Sequence, residues 1–263
     1  MQKNKLSILC LNTFGQTKLA LQKQLQIQDI IKSYKTDVVH LQETDSDDNT
    51  FKKCNYILNN YTVISNNSPT GYGTMSLVKN DLKVDNISLD TAGRIIVFEI
   101  DNITHCNVYL EAGTDSNSRS AREQYLSDTL PNLLINRCSS GYLCGDWNCI
   151  SDKRDATNHP DSKLSKSLIR LMKVFELKDS HRILFPSATD YSHFYSAGQI
   201  NGATRIDRQY IWGAINVRSS EYIPVAFSDH YGLVIVINLS VPFSPARQIF
   251  PQGSRSFKIK KTS

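Results

Sequence analysis

The six cysteines, Cys10, Cys54, Cys106, Cys138, Cys144 and Cys149, include no CxxC pair and no other metal-ligand spacing, which excludes a thiolate zinc module or a dithiol redox motif. Four of them lie in or beside apolar runs, where cysteine behaves as a small buried hydrophobe, so reduced thiols in an intracellular protein are expected. No stretch approaches the roughly 20 apolar residues that a membrane helix needs. The first apolar run, Leu6 to Leu11, is too short for a signal-peptide core, so a soluble protein without a membrane partner is expected. The sequence also lacks internal repeats, low-complexity tracts and any Gly/Ser/Pro-rich linker before residue 240. One domain over residues 1–239 and a tail over 240–263 are therefore expected from the 263 residues.

The tail has no acidic residue and carries Arg247, Arg255, Lys258, Lys260 and Lys261. These five account for the formal charge of +5, which leaves 25 basic against 25 acidic residues elsewhere. Bulk charge therefore gives no argument for a polyanionic partner, and any such attraction must be local. One candidate is Lys163, Lys166, Arg170 and Lys173, spaced to share a helix face, although a solvated face is the simpler reading.

With 40% hydrophobic and 21% charged residues, the chain suits a globule with a sizeable core. Residues 5–12 read as a buried strand, 18–35 as a helix with Leu21, Leu25, Ile30, Ile31 and Tyr34 at helical spacing, and 37–42 as a second strand. Strands are expected over 56–65, 73–79, 82–89, 94–101 and 103–110, then a helix over 119–136 that Pro131 should kink or interrupt. A strand over 141–146, a helix over 163–176 and strands near 190–195, 203–213, 215–223 and 231–239 complete the pattern. A β-α-β opening, antiparallel hairpins and a second similar half predict an α/β sandwich: two packed mixed sheets with helices outside.

Short polar motifs recur at the ends of the apolar runs: Asn12, Gln42-Glu43, Tyr109, Gly145-Asp146-Trp147-Asn148, Arg205-Ile206-Asp207 and Ser228-Asp229-His230. Metal-assisted attack on a phosphate requires such a collection, with groups for a cation, a base and donors for oxygen. Asp146 and Asn148 are two residues apart beyond one strand and can share a side. Asp207 could fix the tautomer of His230 and leave its other nitrogen for water or phosphate.

In that order, these motifs resemble the endonuclease/exonuclease/phosphatase superfamily over residues 5–239. The resemblance implies a four-layered, DNase I-like α/β sandwich. It is nearest to the apurinic-endonuclease-like domains of non-LTR retrotransposons. Residues 205–211, Arg-Ile-Asp-Arg-Gln-Tyr-Ile, resemble the Arg-Ile-Asp-Arg-Ile-Tyr-Val form of those elements, and the preceding segment 194–204 corresponds to their DNA-probing hairpin. The tail Gly253-Ser254-Arg255-Ser256-Phe257-Lys258-Ile259-Lys260 resembles, with two substitutions, their Gly-x-x-x-Trp-Lys-x-Asn segment before the reverse transcriptase.

The resemblance implies a magnesium-dependent DNA endonuclease, manganese being an alternative ion, that nicks one strand to leave a 3′-hydroxyl primer for target-primed reverse transcription. It makes Glu43 the principal metal ligand, with Asp229 and Asn12 nearby. Asp146 would orient or deprotonate water, Asn148 hold a phosphate oxygen and Tyr109 donate to the phosphate. His230, oriented by Asp207, would contact the phosphate or share the base role, and the division between Asp146 and His230 stays open. Hard carboxylate and amide oxygens suit magnesium.

Phe14 stands where the superfamily commonly has a polar residue, so no second metal is expected there. Glu111 and Ala112 replace a proline and an asparagine after Tyr109, which removes a contact expected in abasic-site repair. A structural role is expected for Arg122. Double-stranded DNA and a reverse transcriptase domain of the same polyprotein are the expected partners, in the nucleus, with no small-molecule cofactor. Arg205, Arg208, Phe194, Tyr195, Gln199 and Asn201, together with Trp147 and Tyr191, are the expected contacts to bases and phosphates. The alternatives are a phosphatase or phosphodiesterase of the same fold acting on lipid, inositol phosphate or RNA, and a non-catalytic DNA-binding module.

Overall fold

The structure is a computed structural model that describes residues 5–15, 20–44, 51, 54–68, 71–197 and 200–238. The tail, Gln199 and part of the 18–35 segment fall outside the described residues. Among the described residues, fourteen strands form two six-stranded sheets and one separate hairpin.

The first sheet is built from β1 (Lys5–Asn12), β2 (Val38–Gln42), β3 (Tyr61–Asn66), β4 (Thr74–Lys79), β13 (Asn216–Ile223) and β14 (Gly232–Asn238), in the order β13-β14-β1-β2-β4-β3. The second contains β5 (Asp85–Leu89), β6 (Ile95–Ile100), β7 (Ile103–Tyr109), β8 (Gly141–Asp146), β9 (Lys178–Asp179) and β12 (Asp207–Trp212), in the order β5-β6-β7-β8-β12-β9. Each sheet has one parallel pair, β1 with β2 and β7 with β8, set among antiparallel ones. The mixed sheets and the similarity of the two halves agree with the sequence pattern. At the far end of β1 from Asn12, Lys5 lies opposite Asn238 of β14.

Alternation along the strands decides what each face covers. Leu6, Ile8 and Cys10 of β1 point between the sheets, with Phe98, Ile100, Tyr142, Ile211 and Ile235. Leu9 and Leu11 point outward beneath α1 (Leu21–Tyr34), whose Ile27 and Ile31 cover them. On the far side, Val97, Val108 and Leu143 are covered by Leu126, Leu130 and Leu134 of one helical segment and by Leu168 and Leu171 of another. The result is four layers, as the resemblance implies.

Several element boundaries differ from the sequence reading. Residues 56–60 form not a strand but α2 (Asn55–Asn60), closed by an Asn60 side-chain bond to the Tyr56 carbonyl. A short apolar run such as Tyr56-Ile57-Leu58 cannot distinguish a strand from a helical turn. The helix expected over 119–136 begins earlier, as α3 (Ser116–Gln124), because the Asp115 carboxylate caps it by accepting from the Asn117 and Ser118 amides. Pro131 is accommodated by a π-helical turn, Tyr125–Thr129, ahead of α4 (Leu130–Leu134).

The helix over 163–176 divides into α5 (Pro160–Lys163) and α6 (Lys166–Val174), because Ser165 turns its hydroxyl to the Leu168 amide and starts a new helix. Lys163 is thereby separated from Lys166, Arg170 and Lys173. The strand over 82–89 begins only at Asp85, and Leu82 is buried in the preceding turn. The run 203–213 divides into β11 (Ile200–Thr204) and β12, and β11 pairs with β10 (His193–Ala197) as the expected hairpin. The short strand β9, the helix α7 (Ser180–Leu184) and a 3-10 turn at Lys153–Asp155 had no periodic signal.

No cysteine forms a disulfide among the described residues, and five of the six are buried. No described helix is long and apolar enough to cross a membrane.

Candidate active site

The parallel strands of both sheets finish at the same rim, and their antiparallel partners start there. Asn12 ends β1, Glu43 follows β2, Tyr109 ends β7 and Asp146 ends β8, while Asp207 opens β12 and His230 precedes β14. Strand register lines up Tyr109 with Asp146 and Asp146 with Asp207. The polar seam below is tied across the two sheets by Gln42 Nε2 donating to Asn107 Oδ1 at 2.7 Å.

Asn12 Nδ2 donates to both acids, to Glu43 Oε1 at 3.1 Å and to Asp146 Oδ2 at 2.9 Å. Its Oδ1 accepts from the Phe14 amide. The Tyr109 hydroxyl donates to Glu43 Oε1 at 3.0 Å, and the Gly15 amide donates to Oε2. Burial and the neighbouring Glu43 push the Tyr109 phenol far up, so it remains a donor.

Asp146 is buried and accepts from the amide and side chain of Asn148, whose Nδ2 also donates to the Leu110 carbonyl. Burial, reinforced by Asp207, raises the Asp146 carboxyl to about 6. His230 Nδ1 lies 2.7 Å from Asp207 Oδ2, and Asp207 is fully buried. Burial alone would lower the His230 imidazole, but Asp207, with help from Asp146 and Asp229, raises it to about 10. Asp207 is fixed in turn by its amide, which donates to Ser192 Oγ, and by the Tyr222 hydroxyl on its carbonyl.

The backbone is strained at this rim. Phe14, Glu43 and Asn148 have φ of 50°, 54° and 47°, the left-handed region that non-glycine residues avoid. Such outliers collect where function over-determines the chain. Gly15 packs so closely on the Glu43 loop that a Cβ would lie 1.7 Å from the Glu43 carbonyl oxygen.

Two carboxylates gathered around one amide hydrogen-bond donor match the chemistry of a divalent cation site, since the N–H dipole occupies a place suited to positive charge. Glu43 and Asp146 supply hard oxygens that fit such an ion. Asp146, Asp207 and His230 also form one compact group of metal-capable atoms, and His193, Asp229 and His230 form a second.

All five expected catalytic residues and the expected ligands Asn12, Glu43 and Asp229 lie along this rim or on its segments. Asp229, expected near the principal metal ligand, is half exposed and turned to the histidines, with Oδ2 3.4 Å from His193 Nε2 and Oδ1 3.9 Å from His230 Nε2.

The residues expected to contact DNA divide differently. Arg205 and Arg208 are not on the surface. Both are buried, Arg205 paired with Asp155 at 2.8 Å and Asp179 at 2.6 Å, Arg208 with Asp155 and the Cys149 carbonyl, because the loop carrying Asp155 folds over them. Trp147 is likewise buried, with its indole nitrogen on the Arg208 carbonyl. Phe194 is exposed on the hairpin and packs on Tyr231, while Tyr195 lies beneath the Lys163 ammonium. Asn201 is exposed, but its Oδ1 accepts from Ser196 Oγ within the hairpin. Arg122 holds the carbonyls of Glu111 and Gly113, the structural role expected of it.

Sequence reasoning missed Ser192, His193 and Arg94. The Arg94 guanidinium lies 5.0 Å from the Tyr109 ring centre and pairs with Glu111. Arg94 opens the run 94–101 and Ser192 and His193 fall in the expected strand near 190–195, but none stands in one of the short polar motifs, so only spatial neighbours identify them.

An α/β sandwich with two carboxylates, an amide and an Asp-His pair at one rim defines a hydrolase of phosphoric esters. The family model described as the Endonuclease/Exonuclease/phosphatase family matches residues 9–230, and the chain belongs to that family. It is therefore of the nuclease or phosphodiesterase type. No curated protein matches it by sequence.

Among solved structures, it is similar to an AP endonuclease from Leishmania major, with a TM-score of 0.74 at 18% identity over 90% of this chain and 88% of that one. An AP endonuclease from Archaeoglobus fulgidus gives 0.71 at 20% identity over 90% and 100%. A 3′ phosphatase from Neisseria, solved bound to a product DNA hairpin, gives 0.68 at 18% identity over 88% and 98%.

Proposed function

We propose that this chain is a magnesium-dependent DNA endonuclease that nicks one strand and leaves a 3′-hydroxyl. The observation that carries the chemistry is Asn12 Nδ2 held between Glu43 and Asp146, with the Asp207–His230 pair beside them. Glu43, with the Asn12 amide beside it, would hold the ion, and manganese would be an alternative occupant. Charge neutralisation on a phosphate oxygen is the chemistry that the ion supplies when bound.

Asp146 takes the proton from the attacking water. A carboxyl raised to about 6 is mostly ionised at neutral pH and still basic enough to accept a proton. His230, raised to about 10, is an imidazolium there, so it opposes the negative charge that gathers on the phosphate rather than acting as the base. Tyr109 and Asn148 fix Glu43 and Asp146 in place.

The finer reading is a nicking domain of a non-LTR retrotransposon. It would act on double-stranded chromosomal DNA in the nucleus, beside a reverse transcriptase domain of the same polyprotein that extends the nick. Support for it comes from residues 205–211 and from the hairpin that precedes them.

A supercoiled-plasmid assay tests the chemistry. Wild type with magnesium should give nicked circles, and Asp146→Ala and His230→Ala should lose about 100- to 10,000-fold in rate, the usual worth of a positioned proton-transfer group. Folded wild type that leaves the plasmid supercoiled would shift the reading to a phosphatase or phosphodiesterase of the same family.

A further inference from the structure

We propose that His193, Asp229 and His230 form a separate site for a transition-metal dication of the zinc class, distinct from the magnesium site at Glu43. Their ligand atoms lie within 4.8 Å of one another. Asp229 stands between the imidazoles, 3.4 Å from His193 Nε2 and 3.9 Å from His230 Nε2. Two ligand atoms on one tetrahedral zinc ion are about 3.3 Å apart, given bond lengths near 2.0–2.1 Å. The Asp229 contacts are therefore within about 0.6 Å of that spacing, and no pair in the group needs to close by more than about 1.5 Å.

Three further observations support the site. First, both imidazoles direct Nδ1 away from Asp229, His230 to Asp207 at 2.7 Å and His193 to Thr204 Oγ1 at 3.4 Å, and so present Nε2 toward it. An oxygen on the far nitrogen is the arrangement that orients metal-bound histidines. Second, the juxtaposition is fixed by the backbone. His193 bridges His230, the Tyr231 amide donates to the Ser192 carbonyl at 2.6 Å, and the rings pack with centroids 4.5 Å apart. Third, the acids Asp146, Asp207 and Asp229 are grouped around His230, so positive charge is favoured there, and a dication would displace the imidazolium proton from Nε2.

Two imidazoles and one carboxylate select zinc, cobalt, nickel or copper over magnesium, which prefers oxygen ligands. An occupant would take the His230 nitrogen that faces the phosphate, so zinc would inhibit cleavage. That inhibitory consequence rests on the endonuclease reading, whereas the metal site does not.

The test is cobalt(II) titration of the whole protein in excess magnesium, read by visible absorption, followed by zinc competition. Wild type should develop a saturable visible band that zinc abolishes and magnesium does not. His193→Gln and Asp229→Asn, checked for fold by circular dichroism, should bind zinc at least about tenfold more weakly, as expected when a ligand or its partner is lost. Equal zinc affinity in wild type and both variants would overturn the site, and so would a thiolate charge-transfer band, which would place the metal on cysteine.

The second reading is plasmid nicking, with each protein compared with its own zinc-free rate. Half-inhibition by zinc should require about tenfold more zinc in His193→Gln than in wild type. A wild type that does not nick would count against the endonuclease reading, and the cobalt band would still decide the site.

Discussion

Asp207 and His230 make the sharpest electrostatic contrast in the molecule with His40 and His105. His230 has three acids around it and is raised to about 10, whereas His40 is buried among neutral groups and burial lowers it to about 3. Imidazole NMR of the metal-free protein should therefore show His230 titrating near pH 10 and His40 still neutral at pH 5. In Asp207→Asn the His230 transition should move down toward the ordinary value of about 6.5, and an unmoved transition would remove Asp207 as its cause. The candidate site was legible because its residues end apolar runs, which fixes their place on a sheet edge. Arg205 and Arg208 were misread for a reason of the same kind. Sequence shows a guanidinium beside Asp207, but only the fold brings Asp155 and Asp179 over it.

Among the elements, strands in the sheet interiors were located closely because burial on both faces writes a continuous apolar run. Helix ends were not, because capping depends on one hydroxyl or carboxylate. Ser165 is such a case: it is buried, and its hydroxyl accepts from the Leu168 amide at 3.0 Å. Ser165→Ala should cost about 1 kcal/mol in urea unfolding. The base of the β10–β11 hairpin is held by the Thr157 bonds to Ala203 and the His193–His230 bridge, while its outer part is tied by the Lys163–Tyr195 contact and the Asn158 bond to the Asn201 carbonyl. Trimming residues 197–202 should change where plasmid DNA is nicked more than how fast. Sequencing the nick positions checks this, and an unchanged pattern would remove the hairpin from target choice.

Across the whole molecule, the two sheets are joined by polar groups as well as apolar ones. His40 bonds to Ser76 and to the Tyr142 hydroxyl, which also bonds to His105. Burial lowers both imidazoles, so the unfolded chain takes up protons below about pH 6.5 that the folded protein refuses. Stability from these groups is full above the unfolded value and declines as pH falls toward 3. Each histidine should contribute a loss of about 2 kcal/mol between pH 8 and pH 5. Because His230 and Asp146, both raised, titrate in the opposite sense, the test is the change in urea midpoint between the two pH values in wild type against His40→Phe, which should lose about 2 kcal/mol less on going to pH 5.

The pairing of Lys5 with Asn238 also bears on how the protein can be carried. The start of β1 and the end of β14 are side by side at the pole opposite the site rim, roughly 23 Å along β1 from Asn12 at 3.3 Å per residue. A neighbour tethered through either end would trail behind the blade like a handle. It would hold the protein without standing between the rim and its substrate.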